Sequence, residues 1–160
     1  MSRAVATDAP CPCGSGTNYG TCCARLHAGA EPSEPRELVR ARYSAFSMGL
    51  YDYVLRTVHS SHAEARRPSR EVHAVLQKLG RTTRYKRLTI IDASPADADG
   101  VARVLFAVEL MQSGRDGSFV ELSSFAAEHG GWRYVAGITV HRAAMGVLPT
   151  SIADFEARAR

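Results

Sequence analysis

The sequence lacks the features that mark a membrane or secreted protein. Its longest apolar stretches, such as residues 104–110, are interrupted by charge well short of the ~20 apolar residues that a membrane-spanning helix needs. The first ten residues contain one arginine but no apolar run of the kind found in a secretory signal peptide. We therefore expect a cytoplasmic protein with no membrane segment.

Common nucleotide-binding and hydrolytic motifs are missing as well. The 160 residues contain no P-loop, no dinucleotide-binding glycine fingerprint and no Ser–His–Asp order. Hydrophobic residues make up 45% of the chain and charged residues 22%, which excludes a disordered or fibrous protein. The length suits one domain with a small appendage.

Charge is distributed unevenly along the chain, although the net charge is only +4. Residues 56–87 contain nine basic and two acidic side chains, with most of the basic ones between Arg66 and Arg87. Such a stretch predicts attraction to an anionic partner such as RNA, a ribosome or an acidic protein. The alternative is an ordinary solvated face.

Cysteine is absent from the 147 residues outside positions 11–23, and all four cysteines lie within this segment. Cytoplasmic proteins rarely keep structural disulfides, so Cys11, Cys13, Cys22 and Cys23 are interpreted as a metal site. Four thiolates around Zn²⁺ leave no open coordination position, which indicates a structural ion. Oxidised cysteines, a redox-active thiol pair, an iron–sulfur site and a ligand set with His27 in place of one cysteine are the alternatives.

The cysteine segment resembles the SEC-C motif, a zinc-binding module. The resemblance rests on the letters CPCGSG from Cys11 to Gly16, the aromatic Tyr19 and the final pair Cys22 and Cys23. The lysines that usually follow the second glycine of this motif are absent here. With little apolar surface in the segment besides Tyr19, we expect the metal to supply most of its folding free energy.

The remaining chain predicts an α+β domain. Helices are expected from Pro35 to Gly49, from about Tyr51 to His59 and from about Ser69 to Leu79, followed by four alternating strands with two short hairpins. These elements predict an antiparallel sheet covered by helices on one face. The predicted division is a cysteine motif at residues 1–28, a linker at 29–35, the main domain at 36–147 and a tail at 148–160 with a short exposed helix.

The order of helices and strands resembles the NTF2-like, cystatin-related fold, and particular segments resemble the YchJ family. The letters RYSAFSMGLYDYVLRTVHSS (residues 42–61), ELSSF (121–125) and GWRYVAG (131–137) are similar to segments of that family. The resemblance implies a curved antiparallel sheet with about three helices behind a Cys₄ zinc knuckle. It defines no biochemical activity.

NTF2-like domains enclose a pocket between the helices and the sheet, and some relatives use an acidic side chain there as a proton shuttle. The polar candidates in this chain are Asp52, His59, Glu109 and Glu121. A hairpin centred on Arg115 would place Glu109 and Glu121 opposite each other, so that burial would raise one pKa toward a general-acid role. The alternatives are a neutralised or solvent-facing pair, and for His59 a helix-capping role.

These observations favour a zinc-binding cytoplasmic adaptor with a protein or ribosomal partner at the zinc knuckle. The alternative is a small-ligand-binding protein or an enzyme that uses the pocket; nucleic-acid binding through the basic stretch is a third possibility. A homodimer is also expected, because NTF2-like sheets often dimerise.

Overall fold

The structure is a computed structural model that describes residues 3–160. The first two residues of the predicted cysteine motif lie outside the described residues. Two single turns of 3₁₀-helix occur, at Tyr19–Thr21 and Ala63–Arg66. The α-helices are α1 (Cys23–His27), α2 (Pro35–Met48), α3 (Tyr51–Arg56), α4 (Ser69–Gly80), α5 (Arg142–Met145) and α6 (Ile152–Arg158). The strands are β1 (Thr83–Ser94), β2 (Ala102–Gln112), β3 (Arg115–Asp116), β4 (Phe119–Glu128) and β5 (Gly131–His141).

The three predicted helices are confirmed, and one of them is shorter than predicted. Helix α2 starts at Pro35, whose fixed φ suits a first helical position, and ends before Gly49 in the left-handed region. Helix α3 stops at Arg56 and not at His59. The chain leaves the helix because the backbone N–H of His59 donates to the carbonyl of Tyr134 on β5 at 2.8 Å.

The sheet is antiparallel with the order β1-β2-β4-β5, and the short β3 pairs with β2. Two-residue turns close both predicted hairpins, at Ser113–Gly114 and at His129–Gly130, and all four residues have positive φ. This backbone conformation matches the twist of a tight hairpin. Unpaired extra residues in β1 and in β5 shift the register locally, and such irregularities bend strands.

Both faces of the sheet are covered, which corrects the prediction that helices lie on one face only. On the first face, α2 packs over Val104, Val108 and Phe125. On the second face, the C-terminal helix α6 buries Ile152 and Phe155 against the other set of strand side chains, including Leu105, Val120 and Leu122. The tail does form the predicted short helix, but the prediction that this helix is exposed is wrong, because Phe155 is only 1% exposed.

The N-terminal cysteine segment packs on α2 and shares the core of the main domain. Cys13 and Leu26 are fully buried, in the same hydrophobic cluster as Leu38 and Ala45 of α2. The cysteine segment was expected to have almost no apolar core of its own, but α2 supplies the apolar surface against which it is buried. Among residues 3–160, no helix combines the length and apolar character needed to cross a bilayer.

Candidate metal centre and domain pocket

Backbone hydrogen bonds fold the cysteine segment back on itself. The N–H of Cys11 donates to the carbonyl of Thr17 at 2.9 Å, and the N–H of Gly14 donates to the carbonyl of Cys11 at 3.0 Å. Gly14 and Gly16 both adopt positive φ, which a residue with a Cβ rarely accepts. This reversal returns the chain toward Cys11, and the following 3₁₀ turn and α1 present the second cysteine pair to the first.

The four cysteine sulfurs form one compact cluster, and each lies within 4.8 Å of the others. The Sγ of Cys22 lies 3.6 Å from that of Cys13 and 3.9 Å from that of Cys23. A tetrahedral ion with metal–sulfur distances of about 2.3 Å requires sulfur–sulfur distances of about 3.8 Å. All four cysteines are free thiols, and three are buried. The arrangement therefore fits a single tetrahedral metal ion.

Two serine hydroxyls support the cluster. The Oγ of Ser44 on α2 donates to Cys23 Sγ at 3.3 Å and lies 3.8 Å from Cys11 Sγ, while the Oγ of Ser15 lies 3.2 Å from Cys22 Sγ. Hydrogen bonds to the ligands of a metal orient them and tune their charge. The contact of Ser44 with the cysteines was not predicted from the sequence. The one sequence signal for it is the position of a serine between Tyr43 and Ala45, on the apolar side of α2.

His27 lies beside the cluster but its ring nitrogens are engaged elsewhere. The Nε2 atom contacts the carbonyl oxygen of Ala41 at 2.8 Å, and Nδ1 lies 2.9 Å from the hydroxyl of Tyr19. Burial lowers the pKa of His27, which favours the neutral imidazole. With Nε2–H donating to Ala41, Nδ1 accepts from Tyr19, so this histidine fastens the segment to α2 and the cysteines alone form the cluster.

A pocket of about 320 Å³ lies between the helices and the first face of the sheet. Its walls are rich in aromatic rings, and seven of its sixteen lining residues are phenylalanine or tyrosine. The aromatic lining consists of Tyr43, Phe46, Tyr85, Phe106, Phe119, Phe125 and Tyr134. Few charged groups enter it, namely Arg42, Glu64 and Glu121.

Four pocket residues were predicted, and of these, all within the described part of the chain, Glu121 alone lines the cavity. Its carboxylate accepts hydrogen bonds from the hydroxyls of Ser123 at 2.6 Å, Tyr134 at 3.2 Å and Thr139 at 3.2 Å. Burial, together with the nearby Glu121 charge, raises the pKa of Tyr134. The tyrosine therefore remains a protonated donor.

Arg42 on α2 was not predicted as a pocket residue. One of its guanidinium nitrogens, Nη1, donates to the carbonyl of Val54 and to the hydroxyl of Thr57, both at 2.8 Å. The guanidinium carbon lies 4.8 Å from the ring centroid of Tyr134, within cation–π range. Burial lowers the pKa of Arg42, yet an arginine this basic stays charged at neutral pH.

The predicted pairing of Glu109 with Glu121 is wrong. Glu121 faces Phe106, and Glu109 lies beside Arg87 of β1, with which it forms an exposed ion pair at 3.3 Å. The hairpin turns at Ser113–Gly114 and not at Arg115, and this shift separates the two carboxylates.

The other two candidates also lie outside the pocket. Asp52 has a 96% exposed side chain and faces His73 at 3.7 Å. His59 lies 3.2 Å from Glu128 and its Nδ1 accepts from the backbone N–H of Ser61 at 3.1 Å. These side chains close a loop against β4, so the four polar candidates form no common site.

All eight cations between residues 66 and 87 have exposed side chains. These cations are Arg66, Arg67, Arg70, Lys78, Arg81, Arg84, Lys86 and Arg87. Helix α4 runs through this stretch and leaves two apolar side chains, Val75 and Leu79, 55% and 48% exposed one helical turn apart. Helix α4 therefore presents two exposed apolar side chains within a stretch of the chain that is rich in positive charge.

Comparison with known proteins identifies both parts of the chain. Residues 34–137 match the family described as YchJ, middle NTF2-like domain, and residues 9–25 match the SEC-C motif. The solution structure of a SEC-C motif-containing protein from Rhodopseudomonas palustris is 25% identical, covers 82% of this chain and 99% of that chain, and has a TM-score of 0.69. The crystal structure of a SEC-C motif-containing protein from Psychrobacter arcticus is 19% identical, covers 81% and 82%, and has a TM-score of 0.66. At 19% identity, the similarity to the Psychrobacter arcticus protein shows a shared fold.

Proposed function

This chain belongs to the YchJ family, and we propose that it binds one Zn²⁺ ion through Cys11, Cys13, Cys22 and Cys23. The observation that carries this proposal is the mutual approach of four free thiol sulfurs to within 4.8 Å. Four protein ligands complete a tetrahedron, so zinc would hold the fold together and would not activate a substrate. Reduced thiols of this kind also favour the cytoplasm as the site of action.

We further propose that the protein acts as an adaptor that binds an acidic protein. The support is the α4 surface, where Val75 and Leu79 are exposed between Arg70 and Arg81. Charge complementarity accelerates association, and a central apolar contact supplies affinity. The exposed loop of the cysteine motif, residues 14–18, contains no charged residue, so electrostatic attraction would come from α4 and its flanks.

Metal content tests the zinc proposal. Protein purified without chelator is analysed for metals, and its thiols are titrated before and after unfolding in a chelator. We expect one zinc per chain and four thiols released on unfolding, with zinc lost in Cys22→Ser and kept in the neighbouring Thr21→Ser. Iron in place of zinc, or four thiols that react freely in the native protein without bound metal, would overturn the proposal.

The adaptor proposal is tested by crosslinking in cell extract, followed by purification of the crosslinked acidic protein and direct binding measurements. We expect Val75→Ser with Leu79→Ser to weaken binding at least tenfold. The matched control is Ile138→Ser with Val147→Ser, which removes two apolar side chains elsewhere that are at least as exposed, at 57% and 81%. Equal loss in both double variants would contradict the α4 surface.

Nucleic acid is the second candidate partner, because nine basic side chains are concentrated in residues 56–87. Binding to RNA would weaken steeply with salt, owing to counterion release, and would disappear after nuclease treatment. Binding to a protein through α4 would survive nuclease. The two treatments therefore separate the two partners.

A further inference from the structure

We propose that the pocket between α2 and the sheet binds a small aromatic monocarboxylate, with Arg42 as the residue that recognises the carboxylate. This site is separate from the cysteine cluster and from the α4 surface. The proposal therefore stands whether or not zinc and the adaptor role are confirmed.

Arg42 is oriented, and the carboxylates of Glu121 and Glu64 in the same pocket act on its charge without forming an ion pair with it. Its Nη1 is fixed by Val54 and Thr57, while Nε and Nη2 have no hydrogen-bond partner within residues 3–160. No carboxylate of the described chain lies within 4.0 Å of this guanidinium. A cation in an apolar setting is costly unless it is paired, so an incoming anion would be favoured.

The neighbouring Tyr134 ring holds the guanidinium plane in place. A planar guanidinium with two free N–H groups is suited to bidentate binding of a carboxylate, and such charge-assisted hydrogen bonds are stronger than neutral ones. Because Arg42 belongs to α2 and is already bonded to α3, little side-chain freedom is left to be lost on binding.

The walls determine what the carboxylate is attached to. A volume of about 320 Å³ is at the lower end of small-molecule pockets, and the lining contains seven phenylalanine or tyrosine residues. Aromatic side chains pack favourably against an aromatic ring in offset or edge-to-face arrangements. The volume and the aromatic lining indicate that the ligand carries a small aromatic ring system and not a long alkyl chain or a sugar.

Two carboxylates line the cavity, those of Glu64 and Glu121, and they limit the ligand to one negative charge. The Glu121 carboxylate is held there by hydroxyls that only donate to it. A second carboxylate on the ligand would meet this charge, and like charges in such surroundings repel strongly. Replacing Glu121 with glutamine removes the repulsion that comes from this residue and leaves its hydrogen-bonding capacity in place.

The test uses 2-naphthoate and its neutral isostere 2-naphthamide, titrated by calorimetry into the full-length protein purified without chelator. We expect 2-naphthoate to bind about tenfold or more tightly than 2-naphthamide. Arg42→Met should abolish this preference, Arg42→Lys should keep part of it, and Glu121→Gln should strengthen 2-naphthoate binding severalfold. Arg36→Met, an exposed arginine on the same helix, should change neither affinity.

Filling the cavity provides a second, independent measurement. Leu76→Trp places a larger ring on a lining residue that is partly exposed, and it should weaken both probes equally. Circular dichroism of each variant confirms folding; if Arg42→Met does not fold, Arg42→Lys and Glu121→Gln carry the test. Failure of both probes to bind the folded wild type, equal affinity for the two probes, or an unchanged preference in folded Arg42→Met would overturn the proposal.

Discussion

The hydroxyl of Ser44 donates a hydrogen bond to the sulfur of Cys23 across 3.3 Å, and this bond joins the NTF2-like domain to the cysteine cluster. Ser44 lies in the middle of α2 and is fully buried. A second contact has the same effect, because the Nη1 of Arg40 on α2 donates to the carbonyl of Cys13 at 3.1 Å. The SEC-C motif is thus an integral part of the domain core.

Ser44→Ala is expected to weaken metal binding about tenfold, since loss of a partner that orients a metal ligand commonly has effects of this size. Alanine is a better helix former than serine, so the substitution does not weaken α2 itself. Competition with a chromophoric chelator measures the affinity.

The control for this prediction is Ser47→Ala. Ser47 is in the same helix, and its hydroxyl bonds to the backbone carbonyl of Ser44 and not to a cysteine. Equal metal affinity in the wild type and in both variants would show that the Ser44 contact does not support the site.

Metal removal is expected to destabilise the whole chain and not only the N-terminal segment. Cys11, Cys13 and Cys23 belong to the same buried cluster as Leu38 and Val108, so loosening the cysteines exposes part of the common core. Each kcal/mol lost from the free energy of unfolding should lower Tm by about 2–4 °C in a domain of this size. Calorimetry with and without chelator should give one transition at a Tm lower by about 10 °C or more; an unchanged Tm would contradict the shared core.

Much of the fold could be predicted because its signals are local. The Cys11–Cys23 segment contains its own ligand pattern, and Gly49 ends α2 as expected. Alternating apolar residues identified the four long strands. Each of these features depends on residues close together in the chain.

The pocket could not be predicted because its parts are distant in sequence. The turn at Ser113–Gly114 is centred about one and a half residues before the predicted centre, and that shift alone moves the partner of Glu121 from Glu109 to Phe106. Arg42 becomes a pocket residue only when α2 packs on the sheet beside Tyr134. Helix α6 has only seven residues, and so short an apolar pattern does not show from the sequence which surface the helix covers.

Phe155→Ala is expected to lower the free energy of unfolding by about 3–5 kcal/mol, because it leaves a cavity under α6. Phe155 is 1% exposed and packs in the cluster that contains Leu105 and Val120. Urea denaturation measures the change. In the control Glu156→Gln, loss of the exposed ion pair with Arg103 should cost less than about 1 kcal/mol. Similar stabilities for the two variants would show that α6 does not belong to the core.

A paired carboxylate fastens the segment before α2 to the sheet. Arg133 on β5, whose side chain is 9% exposed, donates Nη1 to one oxygen of Glu31 at 2.8 Å and Nη2 to the other at 3.1 Å. These hydrogen bonds lower the pKa of Glu31 below its usual range. The pair therefore links residues that are 102 positions apart in the chain.

The Glu31 pair makes stability depend on pH in a defined direction. Because the pKa is lower in the folded state than the unfolded value of about 4.3, the stabilisation is fully present above that value and is lost as pH falls through the folded pKa. We expect Glu31→Gln to be less stable than wild type by about 1 kcal/mol at pH 7, with the difference shrinking below about pH 4.5. Glu34→Gln, an exposed neighbour, should match wild type in urea denaturation at every pH. A difference between wild type and Glu31→Gln that stays constant down to pH 3 would mean that packing, and not charge, accounts for the effect.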